Sequence, residues 1–217
     1  TEDTGREVGL SSAAGALRAG RLVVTPTDTL YGIAADAFDP DAVNLLLSAK
    51  HRGPDMPVPV LVGSWETIDG LVVSTPAPAR DLIRAFWPGG LSLIVHQAPS
   101  LGWNLGHTQG TVMLRMPLHP VAIELLREVG PMAVSSANIS GQPPAVNADE
   151  ARAQLGKAEA QVHAGRVGMA QRVADLLHLG VAELVRLDLD GRVTGRGQAR
   201  LGPGDDIVDD AFALGGR

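Results

Sequence analysis

Apolar positions along this chain fall into short continuous runs that alternate with helical spacings. Val43, Leu46 and Leu47 recur at helical spacing behind Asp39-Pro40-Asp41, predicting a helix that ends at Ala49 with Pro40 and Asp41 in its first turn. Residues 77–86 form a second amphipathic pattern, stopped by Pro88-Gly89-Gly90, and His119-Pro120 opens a third over 121–129. Further helices are predicted at 11–19, between Ser11 or Ser12 as N-cap and Gly20 as stop, and at 148–161, with a turn or short helix at 65–70. Apolar runs at 22–24, 57–62, 91–95, 111–115 and 132–134 read as strands. Pro57 and Pro59 assign the second of these to a sheet edge or a strand start. Strands alternating with helices predict an α/β fold with a mixed, twisted sheet and flanking helices.

Composition narrows the function classes. The 217 residues make one domain, or one domain with an appendage. With 45% hydrophobic but only 3% aromatic residues, the core must be built from Leu, Val, Ile and Ala. Cysteine is absent, which excludes disulfides, thiolate zinc sites and a cysteine nucleophile, and fits a reducing cytoplasm. No apolar run reaches membrane-span length, and the polar N-terminus lacks a signal-peptide pattern. A net charge of −6 argues against attraction of RNA by the surface as a whole. An anionic ligand must then be held locally, and Lys50, Arg52 and Arg115 are the obvious cations. Among 18 basic residues only Lys50 and Lys157 are lysines, which singles out Lys50 in a chain where arginine is the default cation.

Candidate chemistry concentrates in four segments. Thr25-Pro26-Thr27-Asp28-Thr29-Leu30-Tyr31-Gly32 sets small hydrogen-bonding groups where a strand gives way to a turn. Lys50-His51-Arg52 lies just past a predicted helix C-terminus, and Arg115-Met116-Pro117 closes a strand. Ser135-Ser136-Ala137-Asn138-Ile139-Ser140-Gly141 follows a buried strand. Each has a plainer reading when taken alone: basic residues complementing a helix dipole, a surface arginine, an Asx turn, a polar loop. The histidines at 96, 107 and 119 have no ligand spacing, so no protein metal site is expected.

In this order and spacing the four segments resemble the YrdC-like family, the threonylcarbamoyl-adenylate synthases that start a universal tRNA modification. The resemblance covers roughly residues 15–147. It implies a mixed sheet around a large concave cavity. It also implies synthesis of threonylcarbamoyl-AMP and pyrophosphate from L-threonine, bicarbonate and ATP, with Mg2+ accompanying the nucleotide. By the same resemblance Lys50 and Arg52 contact the phosphates as the catalytic cations. Thr111, Ser136 and Asn138 complete the ATP site, and Thr27, Thr29, Tyr31 and Arg115 form the threonine site, with Arg115 on the carboxylate. Tyr31 equally fits a packing role, and Asp28 either approaches magnesium or the substrate amine or caps its turn. The implied partners are downstream threonylcarbamoyl-transferase proteins and tRNA or double-stranded RNA; no membrane is expected. A non-catalytic RNA-binding or interaction module on the same fold is the alternative.

After about residue 160 the family pattern fails. We therefore expect a YrdC-like catalytic domain at 1–162 and an atypical C-terminal segment at 163–217. That segment contains no serine and only Thr194 among threonines, and its Arg, Gly, Ala, Leu, Val and Asp content fits either a divergent helix and strand or a slipped reading frame in GC-rich DNA. Val173, Leu176, Leu177 and Val181 predict an amphipathic helix over 171–185.

Overall fold

The computed structural model describes residues 2–145, 147–155, 163–164 and 181–200. Its strands are β1 (Val23–Pro26), β2 (Tyr31–Asp36), β3 (Val60–Leu61), β4 (Ser92–His96), β5 (Thr111–Arg115), β6 (Met132–Ser136), β7 (His163–Ala164), β8 (Val181–Leu187) and β9 (Val193–Arg200). They form one mixed sheet in the order β7-β1-β2-β6-β3-β5-β4-β8-β9. The β1–β7, β3–β5 and β4–β8 pairs are parallel, and the remaining neighbours are antiparallel. Helices α1 (Glu2–Arg18), α2 (Pro40–Ala49), α3 (Ala77–Phe86), α4 (Pro120–Val129) and α5 (Ala148–Leu155) flank it, with a 3-10 turn at Glu66–Gly70.

Side-chain alternation along the strands divides the core in two. Val24, Ile33, Ala35, Val60, Ala133, Leu93 and Leu114 face a cluster completed by α2, α3 and α5. Val23, Ala34, Leu61, Met132 and Val134 face the other way, onto α1 and α4. The two helices on that second face pack on each other near β1 and β2 and leave the far end of this face uncovered, where the cavity described below opens.

Helix α3 and strand β5 have the predicted bounds, and α2 carries Pro40 and Asp41 in its first turn as expected, capped by Asp39, whose carboxylate accepts from the Asp41 and Ala42 amides. Other elements differ. Helix α1 begins at Glu2 rather than residue 11, because Arg6 pairs with Glu124 and Arg18 with Glu128 across to α4, a tertiary anchor invisible to local periodicity. Strand β3 lies inside the sheet between β6 and β5, so of the two alternatives for Pro57 and Pro59 the strand start holds: both precede Val60. Its prolines do not obstruct this, because Pro59 contributes only its carbonyl, which accepts from the Val134 amide. Strand β2 was not anticipated, since Gly32, Ala34 and Ala35 carry no strand propensity. Residues 181–185, read as the end of a helix, form strand β8, whose Val185 and Leu187 are buried in the main core. The rest of that expected helix, 171–180, and residues 156–161 of the one expected at 148–161 lie outside the described residues.

Candidate active site

An open-mouthed cavity of about 640 Å3 lies on one face of the central strands. Gly32 of β2, Val134 and Ser136 of β6, Leu61 of β3, Met113 and Arg115 of β5 and Ser92 of β4 line it, and all of these positions share the face that α1 and α4 partly cover. Gly32 keeps the floor open: a Cβ there would meet Val134 Cγ1 at 2.6 Å. Thr27, Thr29, Leu30 and Tyr31 form the wall above it.

The threonine segment is a tight turn between β1 and β2. Thr27 Oγ1 accepts from the amides of Thr29 and Leu30 at 3.2 and 3.1 Å and donates to the Leu30 carbonyl at 2.6 Å. Its hydroxyl is thereby used to hold the turn. This sets Asp28 and Thr29 side by side, and both reach Arg115. The guanidinium donates from Nη2 to Asp28 Oδ1 at 2.7 Å, from Nη1 to Thr29 Oγ1 at 3.1 Å and from Nε to the Gly89 carbonyl at 2.9 Å. The ion pair is buried, with the two side chains 9% and 12% exposed. Asp28 thus faces an arginine, a partner 87 residues away that the sequence reading did not identify. Tyr31 lines the cavity, and burial raises the pKa of its phenol.

The second cluster is built on the end of α2. The amide of His51 bonds the Ser48 carbonyl and that of Arg52 bonds the Leu47 carbonyl, a Schellman ending in which His51 takes the left-handed position at φ 56°. His51 therefore has a backbone role between the two cations. Lys50 turns inward and is 0% exposed. Its Nζ donates to the carbonyls of Ser136 and Asn138 at 2.6 and 2.7 Å, with Ser136 Oγ and Asn138 Oδ1 at 3.2 and 3.3 Å. Burial, reinforced by the Arg52 charge, pushes its pKa down to about 7. Arg52 Nε donates to Ser140 Oγ, which donates onward to the Lys50 carbonyl. Asn138 Nδ2 closes the loop on the Gln142 and Ile139 carbonyls.

Thr29, Tyr31, Arg115, Thr27 and Ser136 thus come together on the cavity. Lys50, Arg52 and Asn138 lie beneath its Ser136 rim and do not line it. Thr111 Oγ1 donates to the Thr108 carbonyl at the start of β5 and is buried away from the lining. Sequence reading missed Ser92 and the Gly89 carbonyl, and it gave no individual role to Ser135 of the fourth segment. The two serines interrupt otherwise apolar strands, the signal that could have drawn attention to them. Sequence reading weighed His119 only as a metal ligand; the buried Nδ1 of this residue has no hydrogen-bond partner among the described residues. Burial lowers the His119 pKa, opposed by the Asp28 charge and reinforced by Arg6. Among the described residues no helix is long and apolar enough to cross a membrane.

Comparisons with known proteins agree with this geometry. The chain is 74% identical over 151 residues to a Mycobacterium tuberculosis protein named "Putative threonylcarbamoyl-AMP synthase", covering 70% of each chain. It is 36% identical over 168 residues to the threonylcarbamoyl-AMP synthase of Pyrococcus abyssi, covering 76% of this chain and 49% of that one. A crystal structure of P. abyssi Sua5 complexed with L-threonine superposes with a TM-score of 0.70 at 32% identity, over 86% of this chain and 52% of that one. The chain therefore spans about half the length of the Pyrococcus protein. Escherichia coli YciO shares the fold, with a TM-score of 0.69 at 19% identity over 94% of this chain and 92% of that one. The Sua5_yciO_yrdC family model, described as telomere recombination, matches residues 15–183, and the chain belongs to that family.

Proposed function

We propose that this chain is an L-threonylcarbamoyladenylate synthase, a nucleotidyltransferase that supplies tRNA modification. The observation that carries the reading is that one cavity is lined both by the buried Arg115 and by Ser136, to which the Lys-Arg cluster beneath the Ser-Asn loop is tied. The amine of L-threonine takes up bicarbonate as a carbamate, with loss of water. A carbamate oxygen attacks the α-phosphorus of ATP, the bond to the β-phosphate bridging oxygen breaks, and pyrophosphate leaves. Nothing in this sequence needs a covalent enzyme intermediate, so the protein contributes positioning and charge stabilisation. Magnesium belongs to the substrate, carried on the nucleotide phosphates.

In this reading Arg115 takes the threonine carboxylate as a forked pair, while Thr29 and Tyr31 wall the amino acid and Thr27 fixes their turn. Ser136, Asn138 and Thr111 belong to the nucleotide side. Arg52 and Lys50 supply the phosphate charge, and nucleotide binding draws one Nζ–H of Lys50 from its Ser136 or Asn138 oxygen to a phosphate oxygen. These side chains all lie within residues 1–162, which we propose as the catalytic part, with 163–217 as an atypical continuation. The product passes in the cytoplasm to a threonylcarbamoyl-transferase acting on tRNA.

The test is pyrophosphate release from MgATP and bicarbonate by the purified chain, with and without L-threonine. Threonine-dependent release is the expected result. Salt-sensitive RNA affinity with no release would replace the enzyme by an RNA-binding module of the same fold.

A further inference from the structure

Arg115 has five N–H donors, and the structure accounts for three of them. Nε is spent on the Gly89 carbonyl, one Nη1 proton on Thr29 and one Nη2 proton on Asp28. One N–H on each terminal nitrogen is left without a partner among the described residues. These two N–H groups sit on different terminal nitrogens, and each can donate to a carboxylate oxygen. The guanidinium also lines the cavity, so a ligand can reach it.

What keeps Arg115 in this state is the set of groups around it. Glycine 89 is tied to the end of β5 by its amide, which bonds the Met116 carbonyl at 2.8 Å. The turn bearing Asp28 and Thr29 is fixed by the three bonds of Thr27. Of the groups on Arg115 only Asp28 is charged, and its contact is the shortest of the three.

We infer that Asp28 is a positioning residue, which holds the Arg115 guanidinium so that its two remaining N–H groups receive the carboxylate of the amino-acid substrate. The inference rests on the synthase reading above and assigns Asp28 to the arginine rather than to magnesium or the substrate amine. Two anions then share one cation, Asp28 on one side and the substrate on the other. The opposite arrangement, in which the substrate displaces Asp28, would leave a buried carboxylate without its partner and is disfavoured. The two arrangements predict opposite effects of removing the Asp28 charge. If Asp28 positions Arg115, its loss raises the threonine KM; if Asp28 competes with substrate, its loss lowers it.

The experiment compares wild type, Asp28→Asn and Asp28→Ala in steady-state pyrophosphate release and in calorimetric binding of L-threonine, with MgATP affinity as the measure of an intact fold. Asp28→Ala is expected to raise the threonine KM and Kd by about 10-fold or more and to leave kcat within about 3-fold, because the lost interaction orients the substrate in ground and transition states alike. Asp28→Asn, which can still accept one bond, should fall between, and decides the matter if the alanine variant loses MgATP affinity. A lowered or unchanged KM in the asparagine variant overturns the inference, as does a loss of kcat at unchanged KM. If wild type itself shows neither threonine binding nor threonine-dependent release, the synthase reading fails and the inference falls with it. Failure in the variants alone leaves the synthase reading standing.

Discussion

Arg115 is held by a carboxylate 2.7 Å away, whereas Lys50 is drawn among the oxygens of Ser136 and Asn138 at 2.6–3.3 Å. Both cations are buried and both join segments distant in sequence. A carboxylate holds a guanidinium by charge and by the planar fork of donors, so that pairing fixes an orientation. Carbonyl dipoles hold an ammonium by position alone and do not fully replace the water it has left. The physical consequence is a lysine whose pKa is pushed down to about 7 beside Ser136 and Asn138. The two clusters therefore differ: the arginine is held in one orientation by a carboxylate, and the lysine is a buried cation with a lowered pKa.

The largest test of this contrast is Arg115→Met. It strands the Asp28 carboxylate, and unfolding by urea should show a loss of about 3–5 kcal/mol. The double variant Arg115→Met/Asp28→Asn should recover most of it; no recovery would mean that Asp28 is not the anion at stake. Lys50→Met is expected to cost less, about 2 kcal/mol at neutral pH, because the two carbonyls it strands are offset by an ammonium no longer buried. Its pH dependence carries the sharper signature. Since the folded-state pKa is lowered from 10.5 to about 7, the unfolded chain binds a proton that the folded chain lacks across that window. Wild-type stability should rise with pH between those values, and the rise should vanish in Lys50→Met, so the penalty of the substitution grows as pH increases. An identical pH slope in the two proteins would remove Lys50 from the titration. The smallest effect belongs to His51→Gly, which relieves a left-handed backbone at φ 56° and should change stability by about 1 kcal/mol or less, without altering threonine KM.

How much of this was legible in the sequence depends on the distance over which each feature is decided. Helix α3, strand β5 and the first turn of α2 follow from neighbours a few residues apart and were readable. Strand β2 was not, because its Gly and Ala residues owe their strand conformation to antiparallel pairing with both β1 and β6. Strand β8 was misread since Val181 continues the helical stripe of Val173, Leu176 and Leu177 as readily as it starts a strand, and pairing with β4 decided the matter. At the site, the four motifs identified the contributing segments. They could not show that Asp28 turns to Arg115, or that Thr27 spends its hydroxyl on its own turn. Nor could they show Lys50 inside the Ser-Asn loop, since that depends on where the strand ends meet.

The bonds that close the site join residues 86, 87, 88 and 90 positions apart. Such contacts repay the entropy of closing a long loop only after most of the sheet exists. During refolding, local helices such as α3 should therefore gain protection from hydrogen exchange early, while the turn at 27–30 and the loop at 136–140 gain it together and late. A ribosome-bound chain that has not yet emerged past residue 130 carries every threonine of the motif and both cations of α2's end, yet lacks β6 and the Ser136 wall of the cavity.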